Sequence, residues 1–427
     1  MEAAITTLLL NGVSQNALFA YGKPFFLFDT TKNQFANNSG IFQNPANMPG
    51  WSFTRASTGY AQTQSGLLLL FASGAPRITD KGLLIEGART NLCLQSQTFD
   101  NASWTKSGAT ISADAATAPD GTLTADKLVE DTSTGIHRLI QTISKAASAT
   151  QYAFSVLVQA AGRTDIRLTL DDVGSNNVGA TFTLSGSGST SSVSATGTFT
   201  GASATIVKIG SYYLCTLVGT SATETTLRLQ YQLVSGGSVS YTGDGSSGAY
   251  VWGAQLEAAA FPSSYIPTTT ASVTRAADVA TVAVSGLAYP LTLFAEVEVV
   301  TGIDASAAQG ILTTSGAANN NVQLMRGTAS TLRATVTATT SQMDVSGGAM
   351  SALAIYKAAL RVQTDDCKFT LNGAIVGSDS SVTLPSAPTT VDILNRGGGG
   401  SPFFGYLRRA AIWPTAFSDA NLQSVTA

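Results

Sequence analysis

Charge is scarce in this 427-residue chain, where Asp, Glu, Lys and Arg make up 11% of the residues, against roughly 25% in an ordinary soluble domain. The balance is −3 with no basic tail. That excludes the cationic footprint nucleic-acid binding needs and gives no attraction to anionic lipid. Histidine is nearly absent: the single His137 excludes a multi-histidine metal site. A Ser-His-Asp hydrolase would also have to use it, and no nucleophile-elbow context accompanies it. Cys93, Cys215 and Cys367 are odd in number and far apart, so neither a disulfide framework nor a C-x-x-C metal site is expected. They read as small buried hydrophobes of a chain made in a reducing cytoplasm. The longest apolar run, Leu67–Ala72, falls far short of the ~20 residues that span a bilayer. Glu2 stands where a secretory signal has basic residues, and Asn11 and Gly12 interrupt the first apolar stretch, so no signal is read.

What is present is Ser, Thr, Ala and 41 Gly spread along the chain, a composition suited to many short strands joined by tight turns. Trp51–Arg55, Gly66–Phe71 and Gly82–Ile85 read as strands of a compact module. Tyr152–Gln159, Ile166–Leu170, Ala180–Leu184, Thr205–Val218 around Gly210, Thr226–Leu233 and Ala249–Leu256 alternate or run apolar between Gly/Ser/Asn clusters. The pattern continues through Leu291–Val300, Val322–Arg326, Ser351–Val362 and Gly405–Pro414. Asn372-Gly373 marks a two-residue hairpin, and Ser418 caps a short closing helix over Asp419–Val425. The expected fold is all-β, with two β-sandwich domains of jelly-roll or lectin-like type in tandem after an extended N-terminal attachment segment. The expected boundaries are 1–92 for that segment with its small β module, 93–270 for the first sandwich and 271–427 for the second. Pro262 and Pro267 make Phe261–Pro267 the stiff joint between sandwiches.

The strings FTRAS, APRIT, GLLIEGARTNL and TFDNASW, then YVWGAQLEAAAFPSSYIPT and VTRAADVA, together resemble a module of bacteriophage virion proteins. It is similar to head-spike or tail-fibre subunits, including those of phage-like gene transfer agents. The matching positions are Thr54–Ser57, Pro76-Arg77, Gly82–Leu92, Trp104, Tyr250–Thr268 and Val273–Ala280. The segment from about 271 onward resembles concanavalin-like (laminin-G-like) lectin domains, and 93–270 resembles carbohydrate-binding jelly rolls. These resemblances imply a non-catalytic structural protein on the virion surface, made without a signal peptide. They imply contact with other virion proteins through the N-terminal segment, adhesion to host surface polysaccharide, and a pentamer at a capsid vertex or a trimer on a tail. A purely structural decoration protein and a polysaccharide depolymerase are the alternatives.

No catalytic residue, metal site or cofactor is expected. Asp171/Asp172 and Asp365/Asp366 are adjacent and would point to opposite faces of a strand, a poor acid–base couple. Glu296 and Glu298 share a face but read as solvated. Asp244 in TGDGSSG reads as a turn residue before a calcium ligand, and Gly397–Gly400 as a flexible loop. Glu86 and Arg89 are read as an ion pair about Gly87, and Trp252 as a core residue. Sugar binding commonly uses exposed aromatics, and the candidates are Tyr212, Tyr213, Tyr241, Phe403, Phe404 and Tyr406.

Overall fold

A computed structural model describes residues 16–300, 307–317, 319–397 and 400–427. The apolar Ala4–Leu10 stretch, the Asn11-Gly12 turn and the centre of the Gly397–Gly400 loop lie outside the described residues. The fold is all-β, built of antiparallel sheets with, among the described residues, one short closing α-helix, Asp419–Thr426. No helix among the described residues is long and apolar enough to cross a membrane.

The chain divides into two compact units that are interleaved in sequence. One comprises 1–56, 73–87 and 277–427, the other 57–72 and 88–276. Two sandwiches are present, but the tandem order and the boundaries at 92 and 270 are corrected. Among the described residues, 16–92 form no module of their own. Phe26–Asp29 pairs with Gly405–Trp413, Trp51–Thr54 with Val279–Ala283, and Gly82–Ile85 also with Gly405–Trp413. The reason is burial. Phe26–Asp29 and Gly82–Ile85 are buried at every position, and strands of four residues cannot cover both of their own faces.

In the first of these units, a ten-stranded sheet faces a seven-stranded one across a core that includes Phe28, Leu293, Leu324, Leu360 and Ile412. On the far side of the larger sheet, the closing helix and the 3₁₀ turn Ala17–Tyr21 pack around Trp413 and Phe417. Ser418 caps that helix by accepting from the Asn421 amide, as its sequence predicts. Asn372 and Gly373 have φ of 46° and 81°, the left-handed pair that a tight hairpin requires.

The second unit packs a seven-stranded sheet onto a six-stranded sheet. Leu168, Leu229, Phe154, Val251 and Leu256 are among the core residues between them. Truncating any of these leucines to Ala is expected to cost about 2–5 kcal/mol, the transfer of the lost methyls plus the cavity left behind. Phe261–Pro267 belongs wholly to this unit, which corrects its reading as a joint. Tyr265 packs on Tyr60 and Trp252. The Ile266 amide donates to Gln255 Oε1 at 2.7 Å, and Asn91 Nδ2 donates to the Ile266 carbonyl at 2.8 Å. The prolines therefore hold a strap onto its own sandwich. Trp252 is fully buried, as predicted, and donates from Nε1 to Thr124 Oγ1. Cys93, Cys215 and Cys367 are free and buried.

Candidate functional site

Four neighbouring strands of the seven-stranded sheet in the 57–72/88–276 unit carry two distinct faces. In order across the sheet they are Arg138–Ser144, Thr226–Val234, Asp165–Asp171 and Asn177–Thr183. Successive side chains of a strand point to opposite sides. Ile166, Leu168 and Leu170, with Leu227, Leu229, Tyr231 and Leu233, therefore enter the core together with Val178, Ala180 and Phe182. The intervening positions are polar: Arg167, Thr169 and Asp171 on one strand, Arg228, Gln230 and Gln232 on the next. Register places Arg138, Gln232, Arg167 and Thr181 in one row across four strands. Arg228, Asp171 and Asn177 form another row.

This face holds a depression of about 210 Å³ whose lining includes Arg167, Asp171, Asn177, Arg228, Gln230 and Gln232. Its side chains are held by one another. Arg228 Nε donates to Asp171 at 2.8 Å, and Gln230 Nε2 donates to the same carboxylate. The Val173 amide donates to Asp171 Oδ1 at 2.8 Å. Gln230 Oε1 accepts from Arg138 Nη1 at 2.6 Å and from Gln232 Nε2 at 3.0 Å. Gln230 thus links a cation on one side to an ion pair on the other. Arg167 Nη2 donates to Ser194 Oγ at 2.7 Å. It lies over Gly179, where a Cβ would come within 2.5 Å of Nη2. Glycine weakens a strand interior; here its missing side chain is the space the guanidinium occupies.

The electrostatics are uneven. Burial pushes the Arg167 guanidinium below its ordinary value, with no opposing acid. Arg138 is pushed down by burial first and by Arg228 second, with Asp171 opposing. Arg228 has a carboxylate partner, whereas the partners of Arg138 and Arg167 are an amide oxygen and a hydroxyl. Guanidinium forks and carboxamides on a preformed sheet face match planar oxyanions and vicinal hydroxyls. Asp171, tied to Arg228, Gln230 and Val173, is not placed as half of an acid–base pair.

The aromatic candidates lie elsewhere, and their expected exposure is corrected. Tyr212, Tyr213, Phe403, Phe404 and Tyr406 are between 2% and 5% exposed. Tyr212 donates to the Thr117 carbonyl and Tyr213 to the Gly186 carbonyl. Phe403 joins the core of its sandwich, and the Tyr406 ring lies under Lys81. Tyr241 is half-buried, donating to Glu130 beneath Arg163. His137 is buried between the Gly108 and Tyr241 carbonyls. Glu296, read as solvated, is buried by Arg408 and Arg409. Asp244 accepts from the Ser246 and Ser247 amides, and these bonds, with the Ser247 hydroxyl foremost, hold its carboxyl far below the usual range. No cluster of three His, Cys, Asp or Glu among the described residues could hold a metal.

Among the described residues, the lining of the depression on the polar face holds no aromatic side chain, the residue type that flags a sugar site in a sequence. Its signal is in the strings DIRLTLD and TLRLQYQL: once strands are placed there, the positions that alternate with the core are Asp, Arg and Thr or Arg and Gln.

The recurring Arg-containing strings meet in a different place. In the other unit, Arg55 Nη1 donates to Asp278 at 3.0 Å and Arg77 Nη1 to Glu86 at 2.8 Å. Arg77 also bonds Asp278, and the Glu86 amide donates to Asp278 at 2.9 Å. All four side chains are essentially inaccessible. Burial opposes the charge on Arg77, but Asp278 and Glu86 together hold its guanidinium above the ordinary range. This cluster binds together three separate segments of the chain and has no opening for a ligand.

No protein-family model matches the chain, and no curated protein matches it. Among solved structures, it is similar to the CBM40 domain of a Ruminococcus gnavus IT-sialidase. That likeness has 17% identity over 32% of this chain and 83% of that one, with a TM-score of 0.28. It is also similar to domain 4 of an extracellular arabinanase from Geobacillus stearothermophilus, solved with arabinotriose. There the identity is 11% over 38% and 81% of the two chains, with a TM-score of 0.30. The binding domain of botulinum neurotoxin serotype D gives 11% identity over 35% and 40%, with a TM-score of 0.29. At such scores these likenesses carry no argument, and the all-β assignment stands on the sheets of the chain itself.

Proposed function

We propose that the protein is a non-catalytic glycan-binding component of a virion surface. In this reading it is a head spike or fibre that adheres to polysaccharide on a bacterial host. The observation that carries the glycan part is the Arg/Gln/Asp face around the 210 Å³ depression. A hydrogen-bonded array of forked donors and amides on a rigid sheet supplies the contacts a sugar needs without reorganisation on binding. The virion part is supported by the string of phage-spike motifs along 51–280. Single sugar contacts are weak, so several copies on one particle would supply the working affinity. The N-terminal segment mounting the protein on other virion proteins, and a pentameric or trimeric state, belong to the same proposal.

The test is binding of the purified protein to surface polysaccharide of the bacterium whose phage or gene transfer agent carries it. Expected is saturable, multivalency-dependent binding with no shortening of the polysaccharide. Correctly assembled protein that binds none of it would sink the adhesion reading, and shortened chains would replace it with a depolymerase.

A further inference from the structure

We propose that the glycan held on the Arg138–Gln232–Arg167 row is acidic, its sugar carboxylates completing the unpaired positive charge of Arg167 and Arg138. This rests on the glycan-binding reading above and names the ligand class. Three guanidiniums and two carboxylates occupy this face. Asp171 is used by Arg228 and Gln230. Asp165, at the strand end, accepts from Thr183 Oγ1 at 2.6 Å and from Thr164. Arg167 and Arg138 are left with a serine hydroxyl and a glutamine oxygen, and Arg138 Nε is buried without a partner. A partly desolvated cation with only neutral partners carries a cost that an incoming anion removes.

The geometry suits an extended acidic chain better than one isolated anion. Arg138 and Arg167 are two strands apart, which sets their Cα atoms about 10 Å from each other. Between them lies Gln232, whose carboxamide suits hydroxyls. Thr181 and Asn177 continue the polar surface beyond Arg167 and Asp171. Gly179 leaves room for the Arg167 guanidinium over its strand, and a guanidinium fork can meet a carboxylate side-on.

The experiment uses the whole protein on an array of purified bacterial capsular polysaccharides. Each is printed native and after carboxyl reduction, with sulfated and phosphate-bearing polymers alongside. Expected is signal on uronate- or sialate-bearing polymers, lost on carboxyl reduction and weakened by added salt. R167A and R138A should each lower affinity about tenfold or more, as charge-assisted hydrogen bonds do. R167K, keeping charge but losing the fork, should fall between, and R333A, at a partly exposed arginine of the other unit, should bind as wild type. Melting curves for each variant separate lost binding from lost folding. Equal binding to neutral or carboxyl-reduced polymers would overturn the acidic assignment while leaving glycan binding intact. A signal confined to sulfate or phosphate esters would overturn the carboxylate. Acidic binding unaffected in folded R167A and R138A would overturn the site. No binding to any polymer would overturn the glycan reading itself.

Discussion

Two arginine clusters in this chain show opposite uses of scarce charge. Arg55, Arg77, Glu86 and Asp278 are closed to solvent, with two cations matched to two anions. Arg138, Arg167 and Arg228 share an open face with Asp171, and two of the three have only neutral partners. The first arrangement has no vacancy for a ligand, and breaking it strands a buried charge. In the second the three arginines are partly exposed, so losing Arg167 strands no buried acid, and the incomplete pairing is what a ligand can complete. A chain with 11% charged residues thus concentrates charge where it staples distant segments and where it can meet another molecule.

The comparison can be broken most severely by cutting the chain. A 271–427 fragment keeps Asp278 but loses Arg55, Arg77 and Glu86, along with the strands Phe26–Asp29, Trp51–Thr54 and Gly82–Ile85. It is expected not to fold, giving no cooperative melt by circular dichroism, whereas the full chain melts cooperatively. Next, D278A leaves Arg55 and Arg77 without their shared carboxylate. It should cost about 3–5 kcal/mol, read as a shift in the denaturant midpoint. R167A should move the same midpoint by less than ~1 kcal/mol, as for a half-exposed group without an ion pair.

An effect between those of D278A and R167A is expected at Glu130. Burial alone would raise its pKa, but the bonds from Arg163 and Tyr241 and the Asp244 amide outweigh burial and lower it below the usual 4.5. A carboxyl depressed in the folded state contributes stability above its unfolded pKa and loses it as pH falls through the folded value. Stability should therefore decline below about pH 4.5, and E130Q should flatten that decline while losing about 1–3 kcal/mol at pH 7. Denaturant titrations at pH 7 and pH 3.5 read both. The smallest stability change belongs to G179A. The new methyl displaces the Arg167 guanidinium but meets only the end of a long side chain and no backbone, so the melt should move within ~1 kcal/mol while glycan affinity falls. Unchanged affinity would show that the position of Arg167 does not matter.

Much of the fold was legible in the sequence because strand alternation is a local signal. Gly82–Ile85, Leu291–Val299, the Asn372-Gly373 hairpin and the Ser418 cap stand where their residues put them. The partnering of Phe26–Asp29 and Trp51–Thr54 was not legible, since it depends on strands more than two hundred residues away. Nothing in a strand's own pattern names such a partner. The strap at Phe261–Pro267 was misjudged for the same reason: its prolines announce extended backbone, whereas Asn91, Gln255 and Glu257 show where that backbone is held. Tyr212 and Tyr213 are sugar-contact candidates by residue type alone, and both continue an apolar strand. The polar face needed the register of four strands before Arg138 and Arg167 could be seen as neighbours of Gln232.

The most direct measurement is a crystal structure of the full protein with an oligosaccharide cut from the polysaccharide it binds. The account predicts sugar density over the strands Asp165–Asp171 and Thr226–Val234, with Arg167 and Gln232 hydrogen-bonded to it. Sugar seated on any other surface, with this face empty, would contradict it.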